Sequence, residues 1–556
     1  VTSTGPTHLA ERAGWSLVWL AVVTTGVDAW GDWSTWPGLA IVTPLLILIG
    51  LAGGVAIWTV PDPTARLWHR LGLGAATLAV GFTQGAEIAA RTYYSTDSAA
   101  FNDVATQQLI HGHDPYTSSL AGAANLLHPA ANYWTYLLDG HFVTRVSYPA
   151  GAFLVQAPLV ALGVHHLTTD WLDLAAWIAT VVVLFRALPA ALRWLAPLLL
   201  LAGPFALSFP NGGTDALFLP FLALAVWRWD RFVAPARSRL YPWLSPVALG
   251  VACSIKQSPW FCVPFLVFAI ALEARSLGAR WWSATSRYVG LVVGTFALIN
   301  APFIVWNAAA WWRGTMLPLR SPLVPDGQGL VTLALHGAAR GVDLRELWIA
   351  AALVMVTGLV ALVLWYPALK RVWLFLVPLV LFIPGRSLSN YLLDFFPIAV
   401  IGAVSVARAP RAPVTLRARW RAAMVAVPLA GALAVASAAF VSAPLSVRVQ
   451  RVLTNPGHSV IRSITLDVRN DARVATTPHF MLTIGGGHPS GYWYTIVASG
   501  RFPLAPGARA TVILRPVVFT WAPPFDTYWL VTAYTSTPAG VSTSAPRAWP
   551  YGGPTN

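Results

Sequence analysis

The sequence predicts a polytopic α-helical membrane protein that carries a β-sandwich at its C-terminal end, outside the membrane. Three observations predict it. Hydrophobic residues make up 56% of the chain and charged residues only 10%, a balance that excludes an ordinary soluble protein. Apolar runs of helix length recur from near Gly14 to about Ala443. Beyond Ala443 the pattern changes to short β-branched and aromatic segments separated by Pro and Gly turns.

The apolar runs lie near 14–31, 38–59, 70–91, 170–187, 193–209, 213–229, 243–256, 259–274, 285–306, 346–367, 371–384, 390–407 and 422–443. They make about thirteen spans. Several fall short of the roughly 20 residues that a ~30 Å hydrocarbon core needs. The first reads as a retained anchor rather than a cleaved signal peptide, because further spans follow it at once. The run 148–166, interrupted by Pro158 and Gly163, reads as a helix lying on the outer surface.

Basic residues give the orientation. With the N-terminus inside, clusters such as Arg228, Arg231, Arg237 and Arg239, or Arg408, Arg411, Arg417, Arg419 and Arg421, fall on the cytoplasmic side. Outer segments carry fewer, among them Arg91, Arg145, Arg313 and Arg386. The loop 92–147 and everything after 443 then face outward. Within 444–556, strand-like segments at 447–453, 461–468, 479–484, 492–497, 510–514 and 528–534 suggest an immunoglobulin-like sandwich. The domains are therefore 1–443, transmembrane, and 444–556, extracytoplasmic.

The net charge of +15 does not indicate nucleic acid, because the basic residues fall mainly in short loops between apolar runs. Cys253 and Cys262 form neither a metal-type cluster nor a disulfide framework. Lys256 and Lys370 are the only lysines in a chain rich in arginine.

Chemistry-bearing residues concentrate in four outer segments. In Thr92-Tyr-Tyr-Ser-Thr-Asp97 a carboxylate follows a hydrophobic run, with a long polar and aromatic loop after it. The stretch 98–111 reads as an amphipathic helix. Asp97 is either its N-cap or a catalytic base, two roles that are compatible. Asp103 on the same helix is solvated or supports the site from behind, and Asp114-Pro115 is a turn. Glu87 reads as an i,i+4 partner of Arg91. The second segment is 208–215, where Asp215 caps the next helix or reaches a ligand. In the third, Ser254-Ile-Lys256-Gln257, a lysine at a helix break holds a phosphate or snorkels to the surface. The fourth, Pro384-Gly-Arg386-Ser-Leu-Ser-Asn390-Tyr391-Leu-Leu-Asp394, offers a guanidinium fork suited to phosphate, and Asp394, one turn farther on, either pairs with Arg386 to support the site or acts in the chemistry directly. His336 is a solvated loop residue.

Taken in order, Asp97, Gly112-His-Asp-Pro-Tyr116, Tyr148-Pro149, Lys256-Gln257 and Arg386/Asn390-Tyr391 resemble the C-type glycosyltransferases that use polyprenyl-phosphate sugars. The resemblance covers roughly 70–407 and is nearest to bacterial mannosyl- or arabinosyltransferases of the cell envelope. The N-terminal helix pair departs from the simplest layout of that family. The resemblance implies a multi-pass protein of the bacterial plasma membrane with an outward-facing site and an inverting transfer. Asp97 would deprotonate the acceptor hydroxyl. Lys256 and Arg386 would stabilise the departing phosphate. Tyr116, Tyr148, Gln257, Asn390 and Tyr391 would shape the donor pocket. The partners would be a polyprenyl-phosphate sugar, a glycan or glycolipid acceptor and membrane lipid. No cofactor is expected; a divalent cation at the acidic residues stays open. In the terminal sandwich, Leu504-Ala-Pro-Gly507-Ala-Arg-Ala-Thr-Val512 resembles a turn-and-strand phrase of bacterial immunoglobulin-like adhesion modules, and Tyr492, Trp493, Tyr494, Trp521, Tyr528 and Trp529 either stack on sugars or fill the core. The competing readings are a lipid-glycan flippase, which commonly shows paired broken helices or repeats, and a membrane-anchored assembly protein.

Overall fold

Hydrophobic length decides the frame. The computed structural model describes residues 6–30, 38–60, 66–127, 134–203, 215–233, 241–320, 323–408, 417–456, 459–484, 490–517, 521–523 and 527–549. Among them, six helices are long and apolar enough to cross a membrane: Leu39–Thr59, Thr168–Ala187, Ser258–Ser276, Trp281–Thr315, Leu344–Leu364 and Ala418–Val441. The expected thirteen spans do not appear as thirteen helices of membrane length. The run 243–256 forms the 15-residue helix Tyr241–Ile255. The run 371–384 breaks into Trp373–Phe375 and Leu376–Leu381. The run 390–407 breaks into Ser389–Leu393 and Phe395–Ser405. Irregular backbone of this kind is tolerated where protein rather than lipid surrounds it.

The N-terminal pair, Pro6–Trp30 and Leu39–Thr59, packs closely through glycines. A Cβ at Gly53 would run into the Trp19 ring, and one at Gly50 into Val23. Arg12 closes the second helix by donating to Ile57 O at 2.5 Å and Val60 O at 2.7 Å, which satisfies carbonyls left over at a helix C-terminus. The helix Trp281–Thr315 kinks at Asn307 (φ −157°, ψ 88°), whose Oδ1 accepts from Ala310 N at 2.9 Å and restarts the helix.

The described parts of the segment 92–147, residues 92–127 and 134–147, are folded. They hold the helix Asp97–Ile110 and the 3-10 turn Ala121–Leu126, and they bury Phe101, Tyr116, Leu120, Leu138 and Val143. The expected surface helix over 148–166 is two short helices, Gly151–Leu154 and Ala157–Ala161. A Cβ on Gly151 would sit 2.5 Å from Ser254 O, so the segment is pressed against the helix that leads to Lys256.

The strands are β1 (Asp326–Gly327), β2 (Gly341–Asp343), β3 (Arg386–Ser387), β4 (Leu445–Thr454), β5 (Ile461–Asn470), β6 (His479–Ile484), β7 (Tyr494–Ser499), β8 (Arg509–Arg515), β9 (Tyr528–Ser536), β10 (Ala539–Thr543) and β11 (Arg547–Ala548). One sheet has the order β4-β5-β8-β7. The other runs β11-β9-β10-β2, with β6 also paired to β9. Both line one core: Val447, Leu466 and Val512 from the first meet Phe480, Leu482 and Val531 from the second. β2 precedes the helix Leu344–Leu364, so the helical part supplies an edge strand to the C-terminal sheet. The helix Ala418–Val441 packs on Leu344–Leu364 and leads directly into β4.

Candidate active site

The site begins at the start of the Asp97–Ile110 helix. Thr96, not Asp97, is the N-cap; its hydroxyl accepts from Ala99 N at 3.4 Å. Asp97 is thereby released from capping. Its Oδ2 accepts instead from Thr135 N at 2.6 Å, across 38 residues of loop. The residue is only 6% exposed. Burial pushes its carboxyl above the usual carboxylate range, while hydrogen bonds from Thr135 and the nearby charge of Arg386 pull the other way.

Arg386 is positioned by backbone pairing. β1 and β3 run parallel, with Asp326 opposite Arg386 and Gly327 opposite Ser387. Gln328 N donates to Ser387 O at 2.7 Å and extends the pairing. Gly327 (φ +106°) is required here, because a Cβ would collide with the Ser387 carbonyl. The guanidinium is half-buried and makes no ion pair with a described residue. Asp394, expected as its partner, lies instead beside Lys256 and Asp173. Asp394 is fully buried, and neither of its carboxylate oxygens has a hydrogen-bond partner among the described residues.

Lys256 follows the helix Tyr241–Ile255, which stops at the break before Pro259. It is 4% exposed. Its ammonium pairs with Asp215 and lies over two rings, 5.6 Å from the centroid of Tyr148 and 5.1 Å from that of Tyr391. It does not snorkel. Asp215 also accepts from the Asn390 side-chain amide, so Asn390 and Lys256 converge on one carboxylate. Of the segment 208–215 only Asp215 belongs to the described residues.

Tyr148 and Tyr391 are within electrostatic reach of Asp97, Arg386 and each other, and Tyr148 also hydrogen-bonds Ser98. Gln257 and Tyr116 stand behind them. Gln257 Nε2 donates to Ser147 O at 2.9 Å and Thr315 O at 2.7 Å. The Tyr116 hydroxyl donates to Tyr148 O at 2.8 Å. Both spend their polar groups on backbone that carries Tyr148, so they hold the wall of the site in place. Asp103 lies elsewhere, near Tyr94, Gln107 and His165. Arg91 reaches Asp170 at 2.9 Å.

Most of the residues singled out in the sequence thus meet in one buried polar site: Asp97, Tyr148, Asp215, Lys256, Arg386, Asn390, Tyr391 and Asp394. Three members were not foreseen. Asp173 is fully buried next to Lys256 and Asp394; an acid inside an apolar run was a signal that could have found it. Asp326 was hidden in a Pro-Asp-Gly turn. Thr135 contributes a backbone N–H, which no side-chain pattern announces. No group of three or more His, Cys, Asp or Glu suited to a metal occurs among the described residues.

Of the six aromatics singled out in the C-terminal region, Trp493 and Trp529 fill its core and Trp521 packs against it. Tyr492 is occupied at the contact with loop 134–143. Only Tyr494 (62% exposed) and Tyr528 (63%) face outward, and they stand on different sheets. No protein-family model, curated protein or solved structure matches the chain.

Proposed function

We propose that this protein is a membrane glycosyltransferase that moves a sugar from a polyprenyl-phosphate donor to a hydroxyl of a cell-envelope glycan or glycolipid. The supporting observation is the convergence of Asp97, Lys256 and Arg386, from three distant stretches, on one buried site walled by Tyr148 and Tyr391. The chemistry asks for these groups. A hydroxyl attacking an anomeric carbon must lose its proton, and a buried carboxyl with a raised pKa accepts it more readily than an ordinary aspartate. The leaving group is a phosphate, and its growing charge is stabilised by fixed cations in a site from which water is excluded. Arg386 has its donor fork available. Lys256 has three N–H donors, so one can hold Asp215 while others turn to the phosphate. Tyr148 and Tyr391 offer flat apolar faces to a sugar ring.

On this reading the protein is a multi-pass protein of the bacterial plasma membrane. Its site and C-terminal β-region lie on the outer side, where a lipid-linked donor arrives by diffusion in the bilayer. The reaction inverts the anomeric centre and needs no nucleotide-sugar site.

The test is sugar transfer by purified protein from radiolabelled polyprenyl-phosphate sugars to an envelope-glycan acceptor. Asp97→Asn, which keeps the shape and removes the base, should cut transfer by about 10²–10⁴-fold. Undiminished transfer by a folded Asp97→Asn protein would reject Asp97 as the essential base. Absence of transfer by the wild type, together with lipid-glycan movement across vesicle bilayers, would favour the flippase reading.

A further inference from the structure

The loop 134–143 is shared between the candidate site and the C-terminal β-region. At one end, Thr135 N donates to Asp97, and Thr135 O accepts from Val143 N at 2.8 Å. Leu137 N donates to His141 O at 2.8 Å and closes the loop on itself. On its flank, Tyr136 O accepts from Val324 N at 2.8 Å and Leu137 bridges to Leu323. From there the chain runs into β1, where Asp326 is paired in register with Arg386. The same short loop therefore touches the backbone that sets both the carboxylate and the guanidinium.

The C-terminal region grips this loop from outside. The Tyr492 hydroxyl donates to Leu137 O at 2.6 Å, and its ring meets Tyr136 edge to face at 5.4 Å. The approach is close on both sides and uses glycines with positive φ. A Cβ on Gly491 (φ +78°) would lie 2.7 Å from the Tyr136 hydroxyl, and one on Gly140 (φ +89°) would strike the His479 ring. Tyr492 is itself braced by His479 at 5.7 Å and Tyr534 at 6.2 Å. Pairing of β10 with β2 anchors the region to the helical part at a second place.

We propose that the C-terminal β-region is a working part of the site, with the Tyr492 hydroxyl as a positioning residue that holds loop 134–143 so that the Thr135 N–H meets Asp97. The β-region is then not a passive appendage. The assignment of Asp97 as base rests on the glycosyltransferase reading, but the placement of Asp97 by Tyr492 does not.

The experiment uses the full chain in lipid nanodiscs, as wild type, Tyr492→Phe and the exposed-site control Tyr494→Phe. Amide hydrogen exchange over 134–143 and the pH dependence of carbodiimide labelling at Asp97 are read by mass spectrometry. In Tyr492→Phe, exchange in this loop should rise about two- to tenfold, the factor one net hydrogen bond is worth. The labelling midpoint of Asp97 should move to higher pH, since the Thr135 N–H favours the carboxylate. The groups facing Asp97 during this titration are Ser98, Thr135, Tyr136, Tyr148, Lys256, Arg386 and Tyr391. The turnover rate for sugar transfer should fall by a similar factor with the donor KM unchanged, and Tyr494→Phe should behave as wild type. Should Tyr492→Phe fail to fold, Gly491→Ala, which presses a methyl on Tyr136, is read in the same way. Unchanged exchange and an unchanged Asp97 midpoint in a folded variant overturn the proposal. A shifted midpoint combined with full transfer by Asp97→Asn would remove Asp97 as the base, and a shifted midpoint with no transfer by the wild type would remove the glycosyltransferase reading; both leave the positioning role standing.

Discussion

The two lysines of this chain, both buried, sit in opposite kinds of surroundings. Lys370 Nζ lies 2.8 Å from Glu273 Oε1 and 3.6 Å from Asp230 Oδ2. The other oxygen of Glu273 accepts from the Tyr366 hydroxyl at 2.6 Å, and Asp230 Oδ2 also accepts from Ala407 N at 3.1 Å. Every charge there has a neighbour of opposite sign or a hydrogen bond. Lys256 pairs with Asp215 and lies over two tyrosine rings, but Asp394 close by has no hydrogen-bond partner among the described residues. A network with every member satisfied holds helices together. A network with donors and acceptors to spare is costly unless something fills it. The first arrangement is a clasp, and the second has the character of a site.

The comparison can be broken at either end. The largest effect is expected at the clasp. Lys370→Met strands Glu273 and Asp230 and should cost about 3–5 kcal/mol of stability. Thermal unfolding in detergent measures it, and sugar transfer per folded molecule should be unchanged. At the site the balance should reverse. Arg386→Gln should lower transfer by about 10²–10³-fold, as loss of a fixed charge at the leaving group does elsewhere, while the unfolding temperature barely moves. A melting loss as large as that of Lys370→Met would make Arg386 a structural residue. Gly327→Ala should have a smaller effect of about 1–3 kcal/mol, because it strains the backbone that pairs with Ser387; reduced donor affinity would place the strain at Arg386. The mildest test is pH. Asp97 must be ionised to act as base and its carboxyl is raised by burial, so transfer should be present at high pH and lost as pH falls through that raised value. An acid limb no higher than that of an ordinary carboxylate would contradict it.

Much of the site was legible in the sequence because the chain is so apolar. With 21 acidic residues and two lysines in 556, Asp97, Asp215, Lys256 and Arg386 stand out against their neighbours. Their partners were less legible. Spacing along the chain allows Asp394 to pair with Arg386, yet the break between Ser389–Leu393 and Phe395–Ser405 leaves it beside Lys256. Asp97 read equally well as a cap, until Thr96 took that place. The number of spans is less legible, because an apolar run looks the same whether it crosses a membrane or lies broken inside a bundle. The aromatics after 443 looked alike, and only packing separated the buried Trp493 and Trp529 from the exposed Tyr494 and Tyr528.

The sequence by itself determined the apolar helical character, the β-rich C-terminal region and the short supply of charges, because these follow from composition and local periodicity. Tertiary structure alone decided which charges meet. The contact between Asn390 and Asp215 joins residues 175 positions apart, and Tyr492 reaches Leu137 across 355. Electrostatics and hydrogen bonds act through space over a few ångströms, and separation along the chain carries no record of that distance.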